Sequence, residues 1–299
     1  MRDFQKICVV DDSASGVGGT RLTLEAIFES NLEKLNFIPT RDLKLKDAFG
    51  LFDLFIFGNI MNLDRNNIDV LNLIMEEKPF VKIEFDYGYC QYRGRVPHQI
   101  LGGGACDCDK NQELASIYES IHSQSLHTFY MSEQQMLMHN EDLSRYKNIT
   151  GKFKNEQSIL SSCFSKENLL LFRKLKEKNK NERYAIIDGQ GGWHSKAKGI
   201  NESIEYAKCN SLEFDLIKTD THKEMLDVLS NYKGLISMPI IHDTCPRITI
   251  EAKLMGMEVI TNEMSQHTKE DWWNGGYDQA FDFVKSRPKY FWEKLRCLN

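Results

Sequence analysis

Two carboxylates, Asp243 and Glu251, are separated by seven residues in the segment "IHDTCPRITIEAKLMGMEVIT", across what reads as a loop entering a helix. Pro246 suits the first turn of that helix, Asp243 or Thr244 suits its cap, and Gly256 can end it. Glu251 then lies about two turns deeper than Asp243, and at about 1.5 Å per residue the acids stand about 10 Å apart. That is too far to share one proton, but it suits the two ends of one extended ligand. A cap acid followed by an unrelated helical glutamate would give the same pattern.

Two glycine-rich turns offer anion-binding chemistry. "DDSASGVGGTRLTLEA" follows an apolar run and opens a helical pattern, so Gly16, Gly18 and Gly19 can bring backbone N–H groups close to an anion or a sugar. Its G-x-G-G spacing is not the G-x-G-x-x-G of nicotinamide binding, and no acid closes a second strand about twenty residues later. In "IIDGQGGWHSKAKGI", Lys196 and Lys198 stand beside a strand-to-helix turn, where they can neutralise a diphosphate while the helix start supplies oriented donors. Each segment is also compatible with a plain tight turn.

Cys90, His98, Cys106 and Cys108 form C-x7-H-x7-C-x-C in a glycine-rich stretch. The spacing is not that of a standard finger. Four such ligands can close one tetrahedral zinc site, and free thiols are the other reading. Trp272 and Trp273, and the C-terminal "PKYFWEKL", could stack on sugars or pack a terminal helix.

The elements that must position these residues alternate. "KICVVDD", "LFDLFIFGN", "PFVKIEFDY" and "LHTFYMS" read as strands, with helical patterns "TRLTLEAIFESNLEKL", "NNIDVLNLIMEE" and "NQELASIYESIH" between them. After the polar stretch "NEDLSRYKNITGKFKNEQS" the pattern restarts with "RYAIIDG", "EFDLIKT", "GLISMP" and "MEVIT", and with helices from Gly199, from His222 and in the opening segment. Apolar strands joined by helices imply parallel sheets covered on both faces. The expected organisation is a Rossmann-like domain over 1–150, a second over 151–284, and a C-terminal helix over 285–299 that packs back towards the first. Ligands would bind at the C-terminal strand ends, in a cleft that the two sheets face. The basic run "RKLKEKNKNER" reads as a solvated helix leading into the second domain.

Composition narrows the partners. The chain has 299 residues, about two average domains, and 41% apolar content. Lys and Arg total 38 against 43 Asp and Glu, and a net charge of −5 argues against nucleic-acid binding through phosphate neutralisation. The first apolar run is too short for a secretory signal, and no stretch approaches the roughly twenty apolar residues of a membrane span. Eight cysteines are too sparse for a disulfide scaffold, so a cytoplasmic protein with free thiols is expected.

"HDTCPRITIEAKLMGMEVITN" resembles the E-x7-E segment of retaining glycosyltransferases of the GT-B fold, the family 4-like group, where the helix reads like "LEAMACGKPVIAS". Asp243 stands at the first acid and Glu251 at the second. "VVDDSASGVGGTRLTLEAIFE" resembles the family's N-terminal "GGAE" loop, with Thr20 and Arg21 replacing a small residue and an acid. "YAIIDGQGGWHSKAKGI" is similar to the strand, basic loop and "KG" helix start of the donor side. Lys198 is at the lysine position there, and Gln190 or Trp193 lies near where the family has an arginine. "VKIEFDYGYCQYRG" resembles an acceptor-side segment, with Phe85 in place of the usual histidine, and "HTFYMSEQQMLM" resembles a "VSE" strand and helix.

The resemblance implies a two-domain GT-B enzyme that moves a sugar from a nucleotide-sugar donor to an unknown acceptor with retention of configuration. Glu251 would hold the donor ribose, Asp243 the transferred sugar, and Lys198, helped by Lys196 or Arg247, the leaving diphosphate. Gly18, Gly19, Thr244, Cys245 and Asp86 are substrate-binding positions on the same resemblance. It implies no metal or other cofactor for catalysis. An epimerase or phosphorylase of the same fold, or a non-catalytic sugar or nucleotide binder, stays open beside it.

Overall fold

The computed structural model describes residues 4, 6–12, 18–29, 35–48, 50, 52–110, 112–144, 155–188, 196–244 and 246–298. Gly16, Gln190, Trp193 and Cys245 lie outside the described residues. The chain divides into two compact units, one of Met1–Phe164 with Ser286–Asn299, the other of Ser165–Lys285.

The first unit contains β1 (Ile7–Asp11), α1 (Gly19–Phe28), β2 (Leu35–Pro39), α2 (Leu45–Ala48), β3 (Leu54–Phe57), α3 (Arg65–Glu77) and β4 (Phe80–Glu84). It continues through α4 (Arg95–Gly102), α5 (Gln112–Gln124), β5 (His127–Tyr130), α6 (Glu133–Leu143) and β6 (Glu156–Ile159). Its six-stranded sheet has the order β2-β1-β3-β4-β5-β6, and every pairing is parallel. The second unit contains α7 (Lys166–Lys176), β7 (Tyr184–Ile187), α8 (Ile200–Cys209), β8 (Phe214–Ile217), α9 (His222–Leu229), β9 (Gly234–Ser237), α10 (Arg247–Leu254), β10 (Glu258–Thr261) and α11 (Asp271–Asn274). The order of its parallel sheet is β10-β9-β7-β8. A last helix, α12 (Tyr277–Arg296), starts in the second unit and ends in the first.

The central strands are buried from end to end, as "ICVVD", "LFIF" and "FVKIE" require when helices cover both faces of a parallel sheet. The outer strands differ. The helix expected over "TRLTLEAIFESNLEKL" stops at Phe28, and Leu35 opens the edge strand β2. The polar "EQSI" forms the opposite edge, β6, so the first sheet runs past residue 150. An edge strand pairs on one side only and carries no continuous apolar run, which hides it from periodicity.

Beneath the loop after β4 lies a buried polar cluster. Lys82 Nζ donates to Gly58 O at 2.7 Å and to Ile83 O at 3.0 Å, and stands 3.2 Å from Glu84 Oε2. Glu84 accepts the Gly88 N–H at 2.9 Å, with His122 Nε2 3.7 Å and His139 Nε2 3.6 Å from its carboxylate. Burial alone would raise the Glu84 carboxyl, but the Lys82 charge and the two histidines outweigh it and hold the carboxyl well below its ordinary range. Gln135 ties the strand end down, donating from Nε2 to Glu84 O at 3.0 Å and Asp86 O at 2.9 Å.

The end of α12 closes the first unit's core. Trp292 Nε1 donates to Ile27 O at 2.8 Å, and the Phe291 ring packs 4.8 Å from Phe129 and 6.2 Å from Phe28. No described helix is long and apolar enough to cross a membrane.

Burial pushes His122 down to about 4, against the nearby Glu84 carboxylate that would raise it. The unfolded chain therefore takes a proton near pH 6.5 that the folded chain refuses until about pH 4. Stability present above pH 6.5 should fall as the pH drops through that window, by roughly 3 kcal/mol at full development. Melting temperature followed from pH 7 to pH 5 checks this. His122→Gln should flatten the slope, and an unchanged slope contradicts the assignment.

Candidate functional site

In the second unit two strand-to-helix connections meet at the C-terminal ends of parallel strands. Gly199 lies between Lys198 and α8 with φ +66, and a Cβ there would stand 1.6 Å from Met238 O, just past β9. Glycine alone fits both the left-handed backbone and the close approach. Ser203 Oγ donates to Gly199 O at 2.7 Å and accepts the Met238 N–H at 2.9 Å, while Ile240 N donates to Ala197 O at 3.1 Å. The start of α8 is thus fastened to the chain that leaves β9, and this sets Lys198 beside Asp243.

Lys198 Nζ stands 2.5 Å from Asp243 Oδ2; the lysine side chain is 57% exposed and the aspartate 13%. Asp243 is held through its backbone, its N–H donating to Met264 O at 2.8 Å and its carbonyl accepting from Gln266 N at 3.2 Å, in a parallel bridge with Ser265. This corrects the expectation that Asp243 or Thr244 caps the following helix. The N-cap of α10 is Pro246, without a side-chain cap bond, because the Asp243 backbone is taken up by the bridge and its carboxylate by Lys198. Thr244 is buried.

Glu251 sits in α10, a helix buried on most of its faces, and its side chain is 1% exposed. His222 Nε2 lies 3.0 and 3.1 Å from its two oxygens, and Arg247 Nε, one turn earlier, lies 3.6 Å away. A buried carboxylate needs such partners, since an isolated one would be strongly destabilising. His222, 28% exposed, opens α9 after the Thr221 cap, whose Oγ1 accepts from Glu224 N at 3.1 Å. Sequence analysis used His222 only to mark a helix start. The available signal was its position just past β8, at the same sheet edge as the other two connections.

A cavity of about 170 Å³ opens beside Lys198, with Ile186, Met225, Ser237 and Ile248 among its other lining residues. Lys198 is the charged residue in an otherwise largely apolar wall. Behind α10, His267 is stacked 5.5 Å from Trp272, lies 4.6 Å from Trp273, and stands 3.3 Å from Thr249 Oγ1. Burial pushes His267 down to about 3, against the Asp243 charge. Both tryptophans are buried, Trp272 stacking 4.6 Å from Phe283, so they pack the unit and offer no sugar platform.

The remaining sequence-predicted residues distribute between the units. Lys196 is exposed and accepts the Gly199 N–H through its carbonyl at 3.0 Å. In the first unit Gly18 is the N-cap of α1, with open space where a Cβ would be, and Gly19 begins that helix. Asp86, at the end of β4, accepts from Asn59 Nδ2 at 2.9 Å and pairs with Arg93 at 3.2 Å. Phe85 is buried. Cys90, His98, Cys106 and Cys108 converge, their ligand atoms all within 4.8 Å of one another. The structure therefore brings together Lys198 with Asp243, Glu251 with Arg247 and His222, and the four residues of the cysteine loop.

No family model matches the chain, and no curated protein matches it. Solved structures do. The catalytic domain of starch synthase IV from Arabidopsis thaliana, bound to ADP and acarbose, aligns with 98% of this chain and 93% of its own at 10% identity and a TM-score of 0.56. HepE of Anabaena, in complex with UDP-glucose, aligns with 98% of this chain and 91% of its own at 12% identity and a TM-score of 0.51. AviGT4, a glycosyltransferase involved in avilamycin A biosynthesis, aligns with 95% of this chain and 88% of its own at 9% identity and a TM-score of 0.50. With two parallel α/β units and these likenesses over nearly its whole length, the chain has the GT-B fold.

Proposed function

We propose that this protein is a glycosyltransferase that moves a sugar from a nucleotide-sugar donor to an acceptor of unknown class, with retention of configuration. The observation that carries the reading is the Lys198–Asp243 pair at the rim of the second unit's cavity, with the buried Glu251 further along the same segment. The UDP-glucose held by HepE and the ADP held by starch synthase IV support a nucleotide donor. In this reading the second unit carries the donor side, the first unit the acceptor side with Asp86, and the reaction belongs in the cytoplasmic setting expected from the cysteine usage.

Each residue then has a chemical task. The bond from the sugar to the diphosphate breaks with negative charge growing on the phosphate oxygens, and a fixed ammonium lowers the barrier most where charge develops. Lys198, already positioned by Gly199, supplies that ammonium, with Lys196 and Arg247 contributing to the positive field. Asp243, which holds Lys198 while no diphosphate does, accepts hydrogen bonds from the transferred sugar. Glu251 has lone pairs beyond those facing His222 and accepts the ribose hydroxyls, while His222 keeps its carboxylate oriented. Thr244 lies on the loop beside the sugar, Cys245 is assigned to substrate on the sequence resemblance alone, and the N–H groups at Gly18 and Gly19 serve the acceptor side. Lysine and helix-start amides do the work that a metal would do, so none is assigned to the transfer step.

The two acids should fail differently. Asp243→Asn should slow transfer far more than it changes affinity for a bare nucleoside diphosphate, because the sugar is the only ligand contact assigned to it, beside its pairing with Lys198. Glu251→Gln should weaken the bare nucleotide by roughly 1.5 to 3 kcal/mol, the worth of a hydrogen bond to a charged group. Calorimetry with nucleotide alone, set beside turnover, separates them; equal weakening in both variants contradicts this division of labour.

Lys198 is 57% exposed, so Lys198→Ala should fold normally while kcat falls by about 10²- to 10³-fold. Steady-state kinetics with a melting curve checks this. A Lys198→Ala enzyme with full turnover would remove Lys198 from the chemistry.

A further inference from the structure

The loop after β4 gathers four metal-binding side chains in the first unit. Cys90 N donates to Tyr87 O at 3.0 Å and Arg93 N to Cys90 O at 2.7 Å, winding the chain tightly around the first cysteine. Arg93, at φ 62, and Gly94, at φ 142, then reverse it, so that α4 carries His98 beneath Cys90. Past Gly103, Cys106 and Cys108 return to the same point, with Cys108 opening a short 3-10 turn to Lys110.

The separations are those of a coordination polyhedron. Cys90 Sγ lies 3.7 Å from both Cys106 Sγ and Cys108 Sγ, and His98 Nδ1 lies 3.4 Å from both Cys90 Sγ and Cys108 Sγ. A disulfide would need about 2.05 Å, so the sulfurs are not bonded to one another. Zinc–sulfur bonds of about 2.3 Å and a zinc–nitrogen bond of about 2.0 Å at tetrahedral angles put sulfurs about 3.8 Å apart and sulfur from nitrogen about 3.5 Å. Those four edges of the cluster agree with these values, and all the ligand atoms lie within 4.8 Å of one another.

The surroundings are those of a ligand set. His98 turns Nδ1 to the sulfurs, and its Nε2 faces the Asp107 carboxylate at 3.7 Å, on the side where a metal-bound imidazole meets an outer carboxylate. Gly102 leaves the ring its place, since a Cβ there would come within 2.9 Å of His98 Cδ2. Cys90 and Cys108 are buried, and Cys106 is partly buried. A divalent cation would supply the positive charge that those buried thiolates otherwise lack.

We infer that Cys90, His98, Cys106 and Cys108 bind one zinc ion in a closed Cys3His site that pins the β4–α5 loop. Four protein ligands leave no open position, so the metal is structural, and three soft thiolates with one imidazole in tetrahedral array favour zinc. On binding, zinc forms three bonds to thiolates and one to imidazole, and the thiol protons pass to solvent, so affinity falls with pH. The site lies in the other unit from Lys198, Asp243 and Glu251, and its readouts, metal content and stability, do not depend on sugar transfer.

The test uses untagged full-length protein made in zinc-supplemented medium and purified without chelator. Elemental analysis should find about one zinc per chain. Cys106→Ser and Cys108→Ser should lose most of it, Cys209→Ser in α8 should keep it, and chelation of the wild type should lower the melting temperature. Cobalt exchanged into the wild type should show the intense visible absorption of a tetrahedral thiolate site, a readout that stands even where a variant does not fold. A different metal, substoichiometric zinc, an octahedral cobalt spectrum, or full retention of zinc by both serine variants would overturn the assignment.

Discussion

Parallel pairing is the constraint on which the other features depend. Every strand pairing within the two sheets is parallel, so each strand must be followed by a crossover, and all strands of a sheet point their C-terminal ends the same way. Residues just past those ends are brought together although they are far apart in sequence. In the second unit, Lys198 follows β7, His222 follows β8, and Asp243 and Glu251 follow β9. The contact of Gly199 with the Met238 carbonyl narrows this general convergence to a 2.5 Å ion pair between Lys198 and Asp243.

Both units support their C-terminal edges with a buried carboxylate in the reach of histidine. Glu84 is surrounded by Lys82, His122 and His139, and Glu251 by His222 and Arg247. Such groups are weak sources of net stability, because desolvation offsets most of the attraction, but removing one partner from a buried pair is destabilising by about 3 to 5 kcal/mol. Their effect is to hold one arrangement: Glu84 anchors the Gly88 N–H at the start of the loop that carries the cysteine cluster, and Glu251 anchors His222 at the start of α9.

Much of the fold was legible because buried parallel strands are continuous apolar runs, as in "ICVVD" and "LFIF", and because helix starts could be read at Gly199 and His222. The edge strands β2 and β6 were not, since half-exposed "LNFIP" and polar "EQSI" carry no such run. The seven-residue spacing of Asp243 and Glu251 was plain, but local spacing could not show that a bridge to Met264 and Gln266 would draw Asp243 away from a capping role. The role of His222 was not legible beyond a helix start, because its partner Glu251 lies 29 residues on, at a distance only sheet order closes. The cysteine loop was visible as residue types, and the convergence of its four ligand atoms depends on the reversal at Arg93 and Gly94.

The central claim is that the Lys198–Asp243 rim belongs to a donor site at which a nucleotide sugar is cleaved. The most direct measurement is the release of nucleoside diphosphate by the wild-type protein from a panel of UDP-, ADP- and GDP-sugars, followed over time. The account predicts steady release from at least one donor, accelerated by the right acceptor. Failure of the protein to bind any nucleoside diphosphate or nucleotide sugar, in calorimetry on the same preparation, would contradict it.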